Sequence, residues 1–395
     1  MTFLNHGSFG ATPKPVLAAQ QGWRDRMEAE PVRFFARDLE PALDAARAAL
    51  ATFVGSNPED LAWIPNATTG FNTVLRSLRL EPGDELLTTD HAYNAARTAL
   101  DAVAADAEAR VVVASIGFPG ATPQSALDAV LSCCGPRTRL ALLDHVTSAT
   151  ALVLPLAELV GELAARGVEI LVDGAHAPGM LELDLTSLGA TYYTGNLHKW
   201  VCGPKGTGFL WVHPERRERV RPLVISHGAN SPRSDRTRFR LEFDWTGTFD
   251  PSGYLAVPSA IEFGASLLPG GWSALRARNR ALAIEARDRL CAVLEVAPPA
   301  PDEMIGSMTS VPLPEVAESA GVQGIDLYSD PVHAALLAQG IQVMVTPWPP
   351  RPTGRWRRLV RISAAPYTDM DDVERLATAL GRIGTAATTA LRAAG

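Results

Sequence analysis

An α/β fold with a mostly parallel sheet, and a smaller α+β domain behind it, is what this sequence predicts on three observations. Between about residue 60 and residue 212, short β-rich runs alternate with longer stretches of helical period, the pattern of βα units that feed a parallel sheet. The chain has 395 residues, 47% of them hydrophobic and 20% charged, enough for two cores at about 150 residues per domain. After about residue 256 the alternation gives way to a helix-rich stretch and a mixed αβ tail. A large domain over residues 16–255 and a small C-terminal domain over 256–395 are therefore expected, with residues 1–15 as a separate N-terminal segment.

In chain order, Pro15–Glu28 and Leu39–Phe53 carry apolar residues at helical spacing. Strands are expected at Glu85–Thr89, Arg110–Ile116, Arg139–Asp144, Glu169–Asp173, Thr191–Thr194 and Gly208–Val212. Helices are expected between them at Tyr93–Ala107, Pro123–Cys133 and Pro155–Arg166. The last two open on Pro, tolerated in a first helical turn because the missing N–H would have no partner there. From Pro222 to Thr248 the pattern fails, and this polar, Arg-rich stretch reads as a long loop of the kind that often carries function. Ser273–Leu294 reads as helix, Gly306–Val311, Gln342–Thr346 and Arg358–Ser363 as strands, and Asp369–Arg382 as a helix.

Several function classes are disfavoured at once. The formal net charge is −7 with both signs interspersed, so no basic stripe offers itself to nucleic acid. The 4 Cys, two of them adjacent, are no disulfide framework and fit a reducing compartment, with the cytoplasm as the default. Met1–Gly10 has neither a basic lead nor an apolar run, so no signal peptide is expected, and no uninterrupted apolar stretch reaches the roughly 18 residues of a membrane span. The Cys and 8 His show no metal-ligand spacing. Gly203–Gly208 lacks the Gly-Lys-Ser/Thr ending of a nucleotide loop.

The chemistry concentrates at three places. Ile170-Leu171-Val172-Asp173-Gly174 is an apolar strand ending in a carboxylate, and ligands of open parallel sheets bind outside the carboxyl ends of strands. Taken alone, Asp173 reads equally well as a turn cap. Lys199 follows 26 residues later (199 − 173), in an apolar, Gly-rich setting where burial would leave a neutral amine able to attack an aldehyde. A carboxylate suited to the far side of a pyridine ring would keep the ring nitrogen protonated, so the two together imply a cofactor. Asn66-Ala67-Thr68-Thr69-Gly70 precedes a helix-like run, where amides and hydroxyls can hold a dianion.

The combination of Asp173, His176, His198-Lys199, Ala67-Thr68-Thr69 and Arg361-Ile362-Ser363 with Tyr367 resembles class V of the aminotransferase superfamily. Within that class the chain is most similar to the isopenicillin N epimerase family, through Leu4-Asn5-His6-Gly7-Ser8-Phe9-Gly10, Ala29-Glu30-Pro31, His145-Val146, Val172 to Gly179 and His198-Lys199-Trp200. The resemblance spans essentially the full chain. It implies the aspartate-aminotransferase fold, with a mostly parallel seven-stranded sheet in the large domain, and pyridoxal 5'-phosphate held as a Schiff base on Lys199. Asp173 would pair with the ring nitrogen, Ala175 would lie against one ring face and His176 near the phenolic oxygen. Thr68, Thr69 and His198 would hold the phosphate, with Ala67 beside them, and Lys199 would also move the α-proton. Tyr93 would stack on the other ring face, with His91 as its rival. Arg361 would fork onto the substrate carboxylate. Thr246-Gly247-Thr248 would reach the phosphate of a neighbouring subunit, making a homodimer with shared sites, and Asn5 and His6 would line the pocket.

What the resemblance implies for the reaction is a choice at the α-carbon of an amino-acid-like substrate. An epimerase or a carbon–sulfur β-lyase is favoured, with an aminotransferase on a small amino acid or a non-catalytic cofactor-binding scaffold as alternatives. Cysteine desulfurases of this class carry a nucleophilic Cys shortly before the carboxylate-binding arginine. This chain has Cys133, Cys134, Cys202 and Cys291, none of them there. Ala151 stands where the family usually has Gly.

Overall fold

The computed structural model describes residues 1–318, 328–349 and 355–393. Its central sheet is built from β1 (Leu61–Ile64), β2 (Glu85–Thr89), β3 (Arg110–Ala114), β4 (Thr138–Asp144), β5 (Glu169–Gly174), β6 (Tyr192–Asn196) and β7 (Gly208–Val212). The order is β1-β7-β6-β5-β4-β2-β3. Strands β3, β2, β4, β5 and β6 pair in parallel, and β7 runs against both of its neighbours. The seven-stranded, mostly parallel sheet expected from the resemblance is present.

Both faces of the sheet are covered, which is why its strands read as near-continuous apolar runs. Ala141, Leu143, Ile170 and Val172 point into one core with residues of α2 (Leu39–Val54), α5 (Pro123–Ser132) and α6 (Leu156–Ala165). Their neighbours Leu140, Leu142 and Leu171 point into another, packed by α3 (Ala67–Ser77) and α4 (Asn94–Asp106). The two-residue period of a strand therefore sends Asp144 and Asp173, each two positions beyond Leu142 and Leu171, to the α3 side of the sheet.

Strand β3 stops two residues earlier than expected, because the Ser115 hydroxyl and Ile116 amide turn to the carboxylate of Asp90 (2.7 and 3.0 Å). Likewise α4 begins at Asn94, with Tyr93 outside it in extended conformation (φ −56°, ψ 135°). The stretch Pro222–Thr248 is not structureless. It holds a helix, Arg238–Phe243, pinned by Arg240 to Glu59 (2.5 Å) and preceded by Arg236 on Asp44 (2.5 Å).

The C-terminal layer is an antiparallel sheet, β8 (Met308–Glu318), β9 (Met344–Trp348) and β10 (Arg355–Ser363), in the order β9-β10-β8. It packs on α7 (Gly271–Leu294) and α8 (Met370–Ala393) through Leu290, Val311, Val360 and Leu376. β8 starts two residues later and runs further than the expected strand, and α8 continues past Arg382. The N-terminus joins this layer, since Thr2–Phe3 pair in parallel with Ile341–Gln342.

Candidate active site

A cavity of about 160 Å³ opens at the carboxyl edge of the sheet, and five successive pieces of chain reach it. Asp144 ends β4, Asp173 lies near the end of β5, Lys199 follows β6, Tyr93 follows β2, and Asn66 to Thr68 start α3 after β1. His176, Asn196, His198, Ser8 and Ser148 complete the polar lining, with Ala175 and Phe9 beside them.

The chain contains only three lysines, Lys14, Lys199 and Lys205. Lys199 alone lines the cavity; Lys14 is exposed at the start of α1 (Lys14–Ala29) and Lys205 donates to the Thr12 hydroxyl. Burial, and then the Arg361 guanidinium, push the Lys199 ammonium down to about 7. Its partner supports the neutral form. The Trp200 indole N–H donates to His176 Nδ1 (3.5 Å), so a neutral His176 carries its proton on Nε2 and points it at the Lys199 amine (3.1 Å). Burial keeps His176 far below its usual range, and a hydrogen bond in that direction needs an unprotonated amine to accept it.

Asp173 is buried, its Oδ1 accepts the Ala175 amide (3.0 Å), and no cationic side chain forms an ion pair with it among the described residues. Burial raises its carboxyl, so a cationic ring nitrogen would supply a missing counter-charge. At α3, Asn66 caps the helix by accepting the Thr69 amide (2.9 Å), Asn196 accepts the Ala67 amide (2.8 Å), and exposed Thr68 faces the cavity at the positive helix end. His198 donates from Nδ1 to the Thr207 carbonyl (3.0 Å), leaving Nε2 for an anion; burial holds this ring down to about 4 until one arrives. These donors fit the ring, aldehyde and phosphate of pyridoxal 5'-phosphate.

Arg361, on β10, is 1% exposed and has no carboxylate partner among the described residues. Its Nη1 donates to the Ser148 carbonyl (2.7 Å), its Nη2 to the Ser8 hydroxyl (2.9 Å), and its Nε has no hydrogen-bond partner. Both serines line the cavity. A buried guanidinium with an unused donor and no counter-ion is a site for an incoming carboxylate.

The other expected residues divide between the cavity and its surroundings. Tyr93 lines the cavity, whereas both nitrogens of His91 are occupied, Nε2 donating to the Ile116 carbonyl (2.8 Å) and Nδ1 accepting from Thr150 (2.7 Å). Thr69 does not line this cavity but an adjoining one, with Thr246 and Leu223. Gly247 and Thr248 do not line the cavity either. Asn5 and His6 were expected in the pocket, and Ser8 and Phe9 take that place. His6 lies behind the lysine, with Nε2 donating to the Lys199 carbonyl (2.9 Å) and Nδ1 accepting from Tyr367 (2.7 Å). The sequence reading missed Asp144 and Ser148.

Gly10 shows why the N-terminal segment can come so close. Its φ is +71°, and a Cβ there would stand 2.1 Å from the His198 carbonyl oxygen. Gly10→Ala is expected to cost about 1–3 kcal/mol in stability and to weaken cofactor loading, because the main chain flanking Lys199 must move. Urea unfolding measures this, and a loss under about 0.5 kcal/mol would mean that the segment docks elsewhere.

The sequence profile of the family Aminotransferase class-V matches residues 3–376. The chain is 36% identical to an isopenicillin N epimerase of Streptomyces clavuligerus over 393 residues, covering 95% of this chain and 93% of that protein. It is 31% identical to a probable chloroplastic L-cysteine desulfhydrase of Arabidopsis thaliana, covering 79% of this chain and 68% of that one. Among solved structures, a lysine-to-alanine variant of C-DES with glycine covalently linked to its PLP cofactor superposes with a TM-score of 0.79 at 22% identity, over 96% of both chains.

Proposed function

The chain belongs to the class-V aminotransferase family, and from that premise we propose a pyridoxal-phosphate enzyme that acts at the α-carbon of an amino-acid-like substrate, as an epimerase or a carbon–sulfur β-lyase. One observation carries the reading: the neutral-prone Lys199 amine and the buried Asp173 carboxylate line one cavity, and the Arg361 guanidinium, without a carboxylate partner among the described residues, is held directly behind it on Ser148 and Ser8 of that lining.

Bound there, pyridoxal phosphate supplies an aldehyde for an amine and a ring that accepts the electron pair left when a bond at the α-carbon breaks. Lys199 would hold the cofactor and would be the base that takes the α-proton. Asp173 keeps the ring nitrogen protonated, Thr68 and His198 hold the phosphate, and Arg361 holds the substrate carboxylate. Tyr93 lines the cavity, its phenol is held protonated by partial burial and by Asp173, and it is an acid placed to serve a second face.

Product analysis tests the function. Pyruvate with ammonia marks the lyase, α-hydrogen exchange with inversion marks the epimerase, and a keto acid with aminated cofactor marks the aminotransferase. A bound cofactor whose spectrum responds to no amino acid would overturn the enzymatic reading.

Cofactor uptake by apoprotein is expected to follow the Lys199 amine. The neutral form attacks, so the rate should rise from pH 6 through a midpoint about 7 and level off above 8, not climb toward the ordinary lysine value. Stopped-flow absorbance checks this, and a rate still rising tenfold between pH 8 and 10 would contradict it.

We further place the protein in the cytoplasm as a homodimer. Support comes from four unpaired cysteines and from Leu223, Val224 and Ile225, which are 44–61% exposed beside the Thr69–Thr246 cavity. Sedimentation at assay concentration checks the assembly. No helix among the described residues is long and apolar enough to cross a membrane.

A further inference from the structure

Asp144 is a buried carboxyl that the proposed mechanism does not use. Asp144 and Asp173 are register partners in the parallel pairing of β4 with β5, so their side chains leave the sheet on the same face, about 5 Å apart at the main chain. Asp144 is 2% exposed and Asp173 3%, and both line the same cavity. Asp144 Oδ2 is buried without a hydrogen-bond partner, and no arginine or lysine forms an ion pair with this residue among the described residues.

Three groups face it. Asp173 lies beside it on β5, the Tyr93 main-chain amide approaches from the turn after β2 with its phenol nearby, and the Lys199 amine lies beyond Asp173, after β6. The neighbour on its own strand, His145, points to the other face and bonds the Tyr193 hydroxyl (2.9 Å). Two adjacent carboxylates out of water, with a single amine beyond one of them, do not both stay ionised. Each carboxyl meets a main-chain amide, Ala175 for Asp173 and Tyr93 for Asp144, but Asp144 Oδ2 is in addition buried with no hydrogen-bond partner. Burial and then the neighbouring Asp173 raise Asp144 well above the ordinary carboxylate range, in agreement with that asymmetry.

We propose that Asp144 is a positioning residue that remains a neutral carboxylic acid in the working enzyme, confining the single negative charge of the pair to Asp173. This deepens the cofactor reading above and rests on it. The consequence is a fixed counter-charge at the ring nitrogen, because the neighbour that could share or repel it carries none.

The test uses holoenzyme with the cofactor loaded, comparing Asp144→Asn, Asp144→Ala and the unaltered protein. Asparagine is neutral and of the same shape, so the midpoint of the pH titration of the visible absorbance should shift by less than about 0.3 units. The infrared carbonyl band of a protonated carboxyl, present in the unaltered protein, should vanish in that variant. Asp144→Ala should lower kcat about 10- to 100-fold with KM little changed, and asparagine should restore it. A midpoint lowered by one unit or more in Asp144→Asn, or no band to lose, would show a charged Asp144 and overturn the proposal while leaving the cofactor reading standing. Unimpaired kcat in Asp144→Ala would remove the positioning role. Should Asp144→Asn fail to fold, the band is read against Asp144→Ala. A protein that takes up no cofactor at all fails the earlier reading instead.

Discussion

Lys199→Ala is expected to lose all visible absorbance from covalently held cofactor and to lower turnover at least about 1,000-fold. Only Lys14 and Lys205 could substitute, and neither reaches the cavity. The loss should not be repaired by raising pH, since what disappears is the amine and not its neutral fraction. Borohydride reduction followed by peptide mapping provides the complementary measurement: the tag should fall on the peptide carrying Lys199. Recovery of the tag at either of the other two lysines would refute the assignment outright.

Arg361→Lys should raise the substrate KM about 100-fold, close to 3 kcal/mol, while cofactor affinity changes less than about threefold. The guanidinium divides its donors between the Ser148 carbonyl and the Ser8 hydroxyl and keeps Nε unused. An ammonium cannot hold two fixed partners and present a flat fork to a carboxylate as well. Burial pulls Arg361 down to about 10, which still leaves it cationic at neutral pH, so charge is conserved in the comparison and geometry alone is tested. Titrating the bound chromophore with amino acids separates the two affinities. Equal losses for substrate and cofactor would mean that Arg361 serves the fold rather than the substrate.

The parts of this site that the sequence discloses are those where one residue type has one dominant use. A lysine among glycines, an aspartate closing an apolar strand and an arginine in the Arg-Ile-Ser pattern each carry their chemistry in their immediate neighbours. Asp144 was hidden for the opposite reason, because its meaning lies in its register with Asp173 and no local pattern encodes register. Strand β1 was missed because four consecutive apolar residues show no alternation. The helix Arg238–Phe243 depends on ion pairs with Asp44 and Glu59, nearly two hundred residues earlier, which composition cannot announce. The substitution at Ala151 does have a local explanation. Its φ is +58°, a left-handed conformation costing a Cβ-bearing residue about 1–2 kcal/mol, so glycine is the less strained choice there.

The first ten residues tie together two places that otherwise belong to different layers. Leu4 accepts the Ser363 amide, Ser8 holds Arg361, and His6 grips the carbonyl of Lys199. One short ribbon is thus fastened at its far end to Arg361, the proposed grip for the substrate's acid group, and at its middle to the backbone of Lys199. In the proposed enzyme, seating a substrate on Arg361 would therefore pull on the same short ribbon that steadies the main chain of Lys199.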